Sequence, residues 1–179
     1  MIMKRENGFT VVELLITIVV VSILLAMGVP SFMEFVKNNR LSAQANNLVI
    51  AIQAARSEAI KRGSGSVICA STDQATCSGD DDWTTGWIVY SDINQNGNLD
   101  LGGGDCDADD CIARVNGSIE KATLDGNGTN NIRFQPDGRT TSVAATTISV
   151  TADECKHQQV RNITVTAQGH TIVSNQNCP

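Results

Sequence analysis

Aromatic side chains are scarce in this chain, with one Tyr, two Trp and four Phe among 179 residues, or 4%. The hydrophobic fraction is nevertheless 41%, so a core must be built mainly from Val, Ile, Leu and Ala. Histidine is rarer still, His157 and His170 only, and no C-x-x-C occurs, so the ligand spacing of a zinc site is missing. No G-x-S-x-G stands among the strand-like segments, neither His has an evident nucleophile partner, and no glycine loop suited to phosphates is present. The expectation is a protein that is not an enzyme. Positive charge is thin after residue 65: residues 66–179 carry 15 Asp and Glu against 6 Lys and Arg, a net of −9. Such a surface repels phosphate backbones, which disfavours generic nucleic-acid binding.

What is present begins with one long apolar run. From Leu14 to Val29 there are 16 uncharged residues, and extending back to Phe9 gives 21 but takes in Glu13. A span of about 20 residues crosses a bilayer, and a carboxylate at bilayer depth costs at least about 2.5 kcal/mol, which marks Glu13 as functional. Three readings compete. Lys4 and Arg5 with the apolar run and "LLAMG" suit a cleaved secretory signal, which leaves Glu13 unexplained; a plain membrane anchor is the second.

The third comes from the motif itself. Lys4, Arg5, Gly8-Phe9-Thr10-Val11-Val12-Glu13, then an apolar helix with Pro30, resembles the N-terminus of type IV pilins and type II secretion pseudopilins. The resemblance implies cleavage by a prepilin peptidase between Gly8 and Phe9 and N-methylation of Phe9. It also implies an assembly role for Glu13 and Pro30, which would stand at mature positions five and twenty-two. After cleavage Phe9 carries an amine with a pKa of about 8, cationic at neutral pH, and methylation keeps that charge. Glu13 would pair with such an amine, its own or a neighbour's, on leaving lipid for a filament core.

Beyond Pro30 the apolar pattern resumes, so a kink rather than an end is expected there. Leu41, Ala45, Leu48, Ile52, Ala55 and Ala59 step by four and three, one apolar helix face suited to lie on a sheet, and Gly63 and Gly65 stop the helix. Thereafter "SVICAS", "GWIVYS", "NIRFQ", "TTISVT", "RNITVT" and "HTIVSN" read as strands, the last two joined by a turn at Ala167-Gln168-Gly169. The fold class is therefore α+β, a long kinked N-terminal helix packed on an antiparallel sheet, which the resemblance identifies with the type IV pilin fold. The expected divisions are a leader over 1–8, a membrane or filament-core half-helix over 9–30, an amphipathic half over 31–65 and a β-rich globular domain over 66–179. Six cysteines behind a membrane-targeting segment read as disulfides formed outside the cytoplasm, near neighbours pairing as Cys69 with Cys77, Cys106 with Cys111 and Cys155 with Cys178.

"NRLSAQANNLVIAIQAARSEAIKRG", the Cys-bearing strand after it and "WTTGWIVYSDINQNGNLD" are similar to the GspH/FimT/FimU branch of minor pilins and pseudopilins. Within the second stretch Asp92, Asn94, Asn96, Asn98 and Asp100, with Gly97 at the sixth place, fit the first half of a calcium loop. Position twelve, ordinarily a bidentate Glu, is Gly103, for which Asp105, Asp107, Asp109 or Asp110 could substitute. The same pattern also makes an acidic surface turn, so calcium is the single cofactor candidate. The resemblance raises DNA capture too, through a G-R-x-R motif. Here Gly138-Arg139-Thr140-Thr141 keeps only one arginine, with Lys156 and Arg161 as the other basic candidates, and DNA is disfavoured as a partner.

The resemblance thus implies a structural subunit. It would be a minor pilin inserted once in the inner membrane with a periplasmic globular domain, processed by prepilin peptidase and incorporated at or near the tip of a type IV pilus to prime assembly. Its partners would be other minor pilins and the major pilin. The alternatives are a GspH-type minor pseudopilin of the type II secretion system, in a periplasmic pseudopilus, and the disfavoured FimT-like DNA receptor.

Overall fold

The computed structural model describes residues 9–101 and 109–178. One helix, α1 (Val11–Arg62), is followed by eight strands: β1 (Gly65–Ala70), β2 (Trp87–Asp92), β3 (Cys111–Asn116), β4 (Ala122–Asp125), β5 (Asn131–Phe134), β6 (Thr146–Ala152), β7 (Val160–Val165) and β8 (Thr171–Gln176). The chain divides within α1 into two compact units, one up to Asn38 and one from Asn39 onward. The amphipathic stretch therefore groups with the sheets, because its apolar face is buried among their side chains.

In the first unit every residue from Phe9 to Val36 is exposed. Pro30 lies inside α1 and has no N–H to offer the carbonyl of Ala26, yet the helical residues continue through it. In the second unit all six residues of the expected apolar face are buried, joined by Ala51. Gly63 ends the helix in the left-handed region at φ 65°, its N–H reaching the carbonyl of Ala59 at 3.0 Å.

The strands form two four-stranded antiparallel sheets, ordered β3-β2-β1-β5 and β4-β6-β7-β8, where the sequence pattern suggested six strands in one sheet. The two strands it missed, β3 and β4, are edge strands: β3 is largely exposed and carries Arg114, and β4 is four residues long. Both sheets pack against the second half of α1. One cluster joins Leu48, Ile52 and Ala55 of the helix to Ile68, Trp87 and Val89 of the first sheet and Ile148, Val150 and Ile163 of the second. Polar bonds reinforce it: Gln44 Nε2 donates to the Glu120 carbonyl at 2.9 Å, Gln53 Nε2 to Thr171 Oγ1 at 3.0 Å, and Arg56 Nε to the Gly138 carbonyl at 2.9 Å. Full burial of each Leu or Ile is worth roughly 1.5–3 kcal/mol, so this face outweighs the three bonds, each about 1 kcal/mol net.

β1 and β2 are buried at every position, hence on both faces. The face away from α1 holds a smaller cluster of Val67, Cys69, Ile88 and Tyr90, covered by Leu99 and Ile112. Leu99 belongs to the Asn-rich segment after β2, which is how that segment is held down on the sheet. Cys69–Cys77 ties β1 to the loop that follows it, and Cys155–Cys178 joins the residues flanking the open end of the β7–β8 hairpin. Cys111 is also disulfide-bonded, and its expected partner Cys106 lies outside the described residues.

Candidate functional site

Two sites emerge from the residues, one at the start of α1 and one after β2. At the first, the Thr10 carbonyl accepts from Leu14 N at 3.2 Å and Thr10 Oγ1 from Glu13 N at 3.2 Å. Thr10 thus caps the helix and Glu13 stands at its third position. This is the T-x-x-E spacing of a capping box, a signal the hydropathy reading passed over. A carboxylate there also meets the positive end of the helix dipole. Glu13 is exposed, Phe9 is 86% exposed, and Gly8 lies outside the described residues. The helix beyond is long and apolar enough to cross a membrane by length and composition.

At the second site the chain leaves β2 through Asp92 and turns. Asp92 Oδ2 accepts from Gly97 N at 2.8 Å, Asn94 Oδ1 from Asn96 N at 3.0 Å, and Asn96 Oδ1 from Asn98 N at 2.7 Å. Asp100 Oδ2 receives both amides, Asn94 Nδ2 at 3.1 Å and Asn96 Nδ2 at 2.7 Å, which lowers its pKa. Gly97 adopts φ 78°, a left-handed conformation that favours glycine, with the Arg133 guanidinium directly against it. Of the substitutes suggested for position twelve, Asp110 joins the loop: its carboxylate takes Ile93 N at 2.8 Å and Asp100 N at 2.9 Å and so clasps both ends. Asp105, Asp107 and Gly103 lie outside the described residues.

Asp92 and Asp110 are only 4% and 3% exposed, whereas Asn94, Asn96, Asn98 and Asp100 face solvent. Burial, with the nearby Asp110 charge, raises the Asp92 pKa against the lowering effect of the Gly97 N–H. Tyr90 lies beneath, its hydroxyl donating to the Gly97 carbonyl at 3.1 Å. Burial and the charge of Asp92 push its pKa up to about 12. Among the described residues no three His, Cys, Asp or Glu side chains gather closely enough to hold a metal by themselves. Any ion here would need amide and main-chain oxygens as well.

The basic candidates do not meet. Arg139 follows the turn after β5 and sits beside Ala167, since Thr140 N donates to the Ala167 carbonyl at 3.0 Å. Lys156 and Arg161 lie at the other end of β7, with Arg161 Nη1 spent on the Gln158 carbonyl at 2.7 Å. The length of β7 separates them, about 20 Å at roughly 3.3 Å per residue.

A long helix whose second half packs on antiparallel sheets behind a methylation-type N-terminus matches one family. A model described as type II transport protein GspH covers residues 44–169. The chain belongs to the GspH family. A second model, the prokaryotic N-terminal methylation motif, covers residues 3–29, the stretch that contains Gly8, Phe9 and Glu13. In fold this GspH-family chain is similar to the type IV minor pilin FimU of Pseudomonas aeruginosa in two crystal forms. One matches with a TM-score of 0.56 at 19% identity, over 78% of this chain and 92% of that one. The other gives 0.53 at 18%, over 74% and 91%. Among curated protein sequences none matches significantly. The chain is accordingly a minor pilin or pseudopilin with the type IV pilin fold, of a family of structural subunits that assemble with other pilins, carrying an apolar N-terminal anchor and a globular domain.

Proposed function

We propose that the protein is a minor pilin, inserted in the inner membrane, cut after Gly8, methylated at Phe9 and built into a type IV pilus at or near its tip, where it primes assembly with other minor pilins and the major pilin. The observation that carries this reading is the uninterrupted exposure of α1 from Phe9 to Val36, led by a Glu13 whose carboxylate has no partner among the described residues. So large an apolar surface needs lipid or other helices around it. Lipid suits the apolar residues and penalises Glu13; a helical filament core suits both, provided a cation meets the carboxylate. The amine released at Phe9 is that cation. Removing one member of a buried pair costs about 3–5 kcal/mol, so the pairing favours assembly in register over random helix packing.

The match to a type II transport protein favours a second reading, a minor pseudopilin of the type II secretion system. Deleting the gene separates the two. A pilus role predicts loss of surface pili with secretion intact and an epitope-tagged copy in sheared pili; secretion lost with pili intact would refute it. Mass spectrometry of the mature protein should find methylated Phe9 as its first residue.

A further inference from the structure

We propose that Asp92, Asn94, Asn96 and Asp100, closed by Asp110, bind a hard divalent cation, calcium. The case starts from two carboxylates removed from water. Asp92 and Asp110 are 4% and 3% exposed, and among the described residues neither forms an ion pair. Asp110 spends each oxygen on one N–H, whereas Asp92 spends only Oδ2; its Oδ1 is buried without any partner. A buried, unpartnered carboxylate oxygen beside a second buried carboxylate is unfavourable unless a positive charge joins them. The Gly97 N–H ties Asp92 Oδ2 to the loop, while Oδ1 is buried away from bulk water.

The loop's candidate ligands are all hard oxygens. The Asn94 and Asn96 amide oxygens each keep a lone pair beyond the N–H they accept, and Asp100, too far out to make a close three-carboxylate group, stands at the exposed rim of the loop with both amides on its Oδ2. Calcium takes six to eight oxygens in adaptable geometry, while magnesium demands a tight octahedron and sheds water reluctantly. A loop of mixed carboxylate, amide and main-chain oxygens therefore selects calcium. Among the described residues the guanidinium of Arg133, against Gly97, is the basic group that acts on Asp92. It opposes a divalent cation and sets the site toward weak binding, in the range of about 0.1–1 mM typical of extracellular calcium modules. Since Leu99 of the same loop covers Val67, Cys69, Ile88 and Tyr90, a bound ion would also fasten that cover onto the first sheet.

The full-length processed protein in detergent tests this by calorimetric titration with calcium and by terbium emission sensitised through Tyr90. Saturable calcium binding at about 1 mM or below is expected, with terbium displaced by calcium and the melting temperature raised relative to chelator. Asp100→Asn, at an exposed position that leaves folding intact, should weaken binding by about tenfold, and Asp92→Asn should abolish it. Arg133→Gln should tighten binding a few-fold by removing the competing charge. Absence of saturable heat and emission up to about 10 mM calcium overturns the site, as does binding unchanged in both Asp92→Asn and Asp100→Asn. Magnesium binding as tightly as calcium would overturn the assignment of the ion.

Discussion

The two halves of α1 have the same secondary structure, yet from Phe9 to Val36, the more apolar half, nothing is buried while seven residues from Leu41 to Ala59 are. The difference lies in the arrangement of the apolar residues. In the second half they fall on one stripe, with Gln44, Asn47, Ser57 and Lys61 between, and a single sheet-bearing side satisfies them. In the first half they cover the whole circumference, so no one-sided partner within the chain suffices. One half is a component of a folded core, and the other is half of an interface whose remainder is lipid or other subunits.

The largest expected effect would break that comparison at its most exposed point. Glu13→Leu should reduce incorporation into filaments by at least about tenfold, as expected from removing one member of a buried charge pair, while the thermal unfolding of the globular unit stays unchanged. Normal incorporation of this variant would show that the first half assembles by apolar packing alone. Next, Leu48→Ala should destabilise the globular unit by about 2–5 kcal/mol in denaturant titration, whereas the matching change Leu15→Ala should stay within about 0.5 kcal/mol. Equal effects would mean the two halves are not energetically distinct.

Capping sharpens the contrast further. Thr10→Ala removes the Thr10 side-chain cap at the start of α1 and should cost the first turn about 1 kcal/mol, visible as faster amide exchange near Glu13 but not as a lower melting temperature. The smallest effect is a pH dependence confined to the packed unit. Because the Asp92 pKa is raised in the fold by burial, the folded state holds its proton to higher pH than the unfolded chain. Without calcium, stability should then fall slightly as pH rises from about 4 through the folded value, and Asp92→Asn should flatten that slope in melting experiments. A slope that survives the substitution would assign it to another carboxylate.

The sequence was most legible where a period repeats. The stripe from Leu41 to Ala59 and the central strands β1 and β2 stand where the pattern put them, since each buried residue there answers to a regular spacing. The edge strands divided: β5 and β8 were read from their sequence, whereas β3, half-exposed and interrupted by Arg114, and the four-residue β4 were not. At the candidate sites the motif residues from Asp92 to Asp100 do form one loop, but Asp110 was one of four equivalent aspartates until the fold placed it. Arg139, Lys156 and Arg161, adjacent only as an inventory of bases, were separated by β7.

By itself the sequence determined the local and the chemical: the apolar run with Glu13 behind a Gly-Phe junction, the amphipathic stripe, the glycine at the turn of position 97, and near-neighbour cysteines at 69 and 77 and at 155 and 178 that the fold then joined. Only tertiary structure decided that the strands split into two sheets, that Leu99 lies over the outer face of the first, and that Asp92 and Asp110 leave water together. The physical reason is that burial belongs to pairs of elements distant in sequence. A stripe or a turn is encoded within a dozen residues, but whether a carboxylate is solvated or stranded depends on which distant element closes over it.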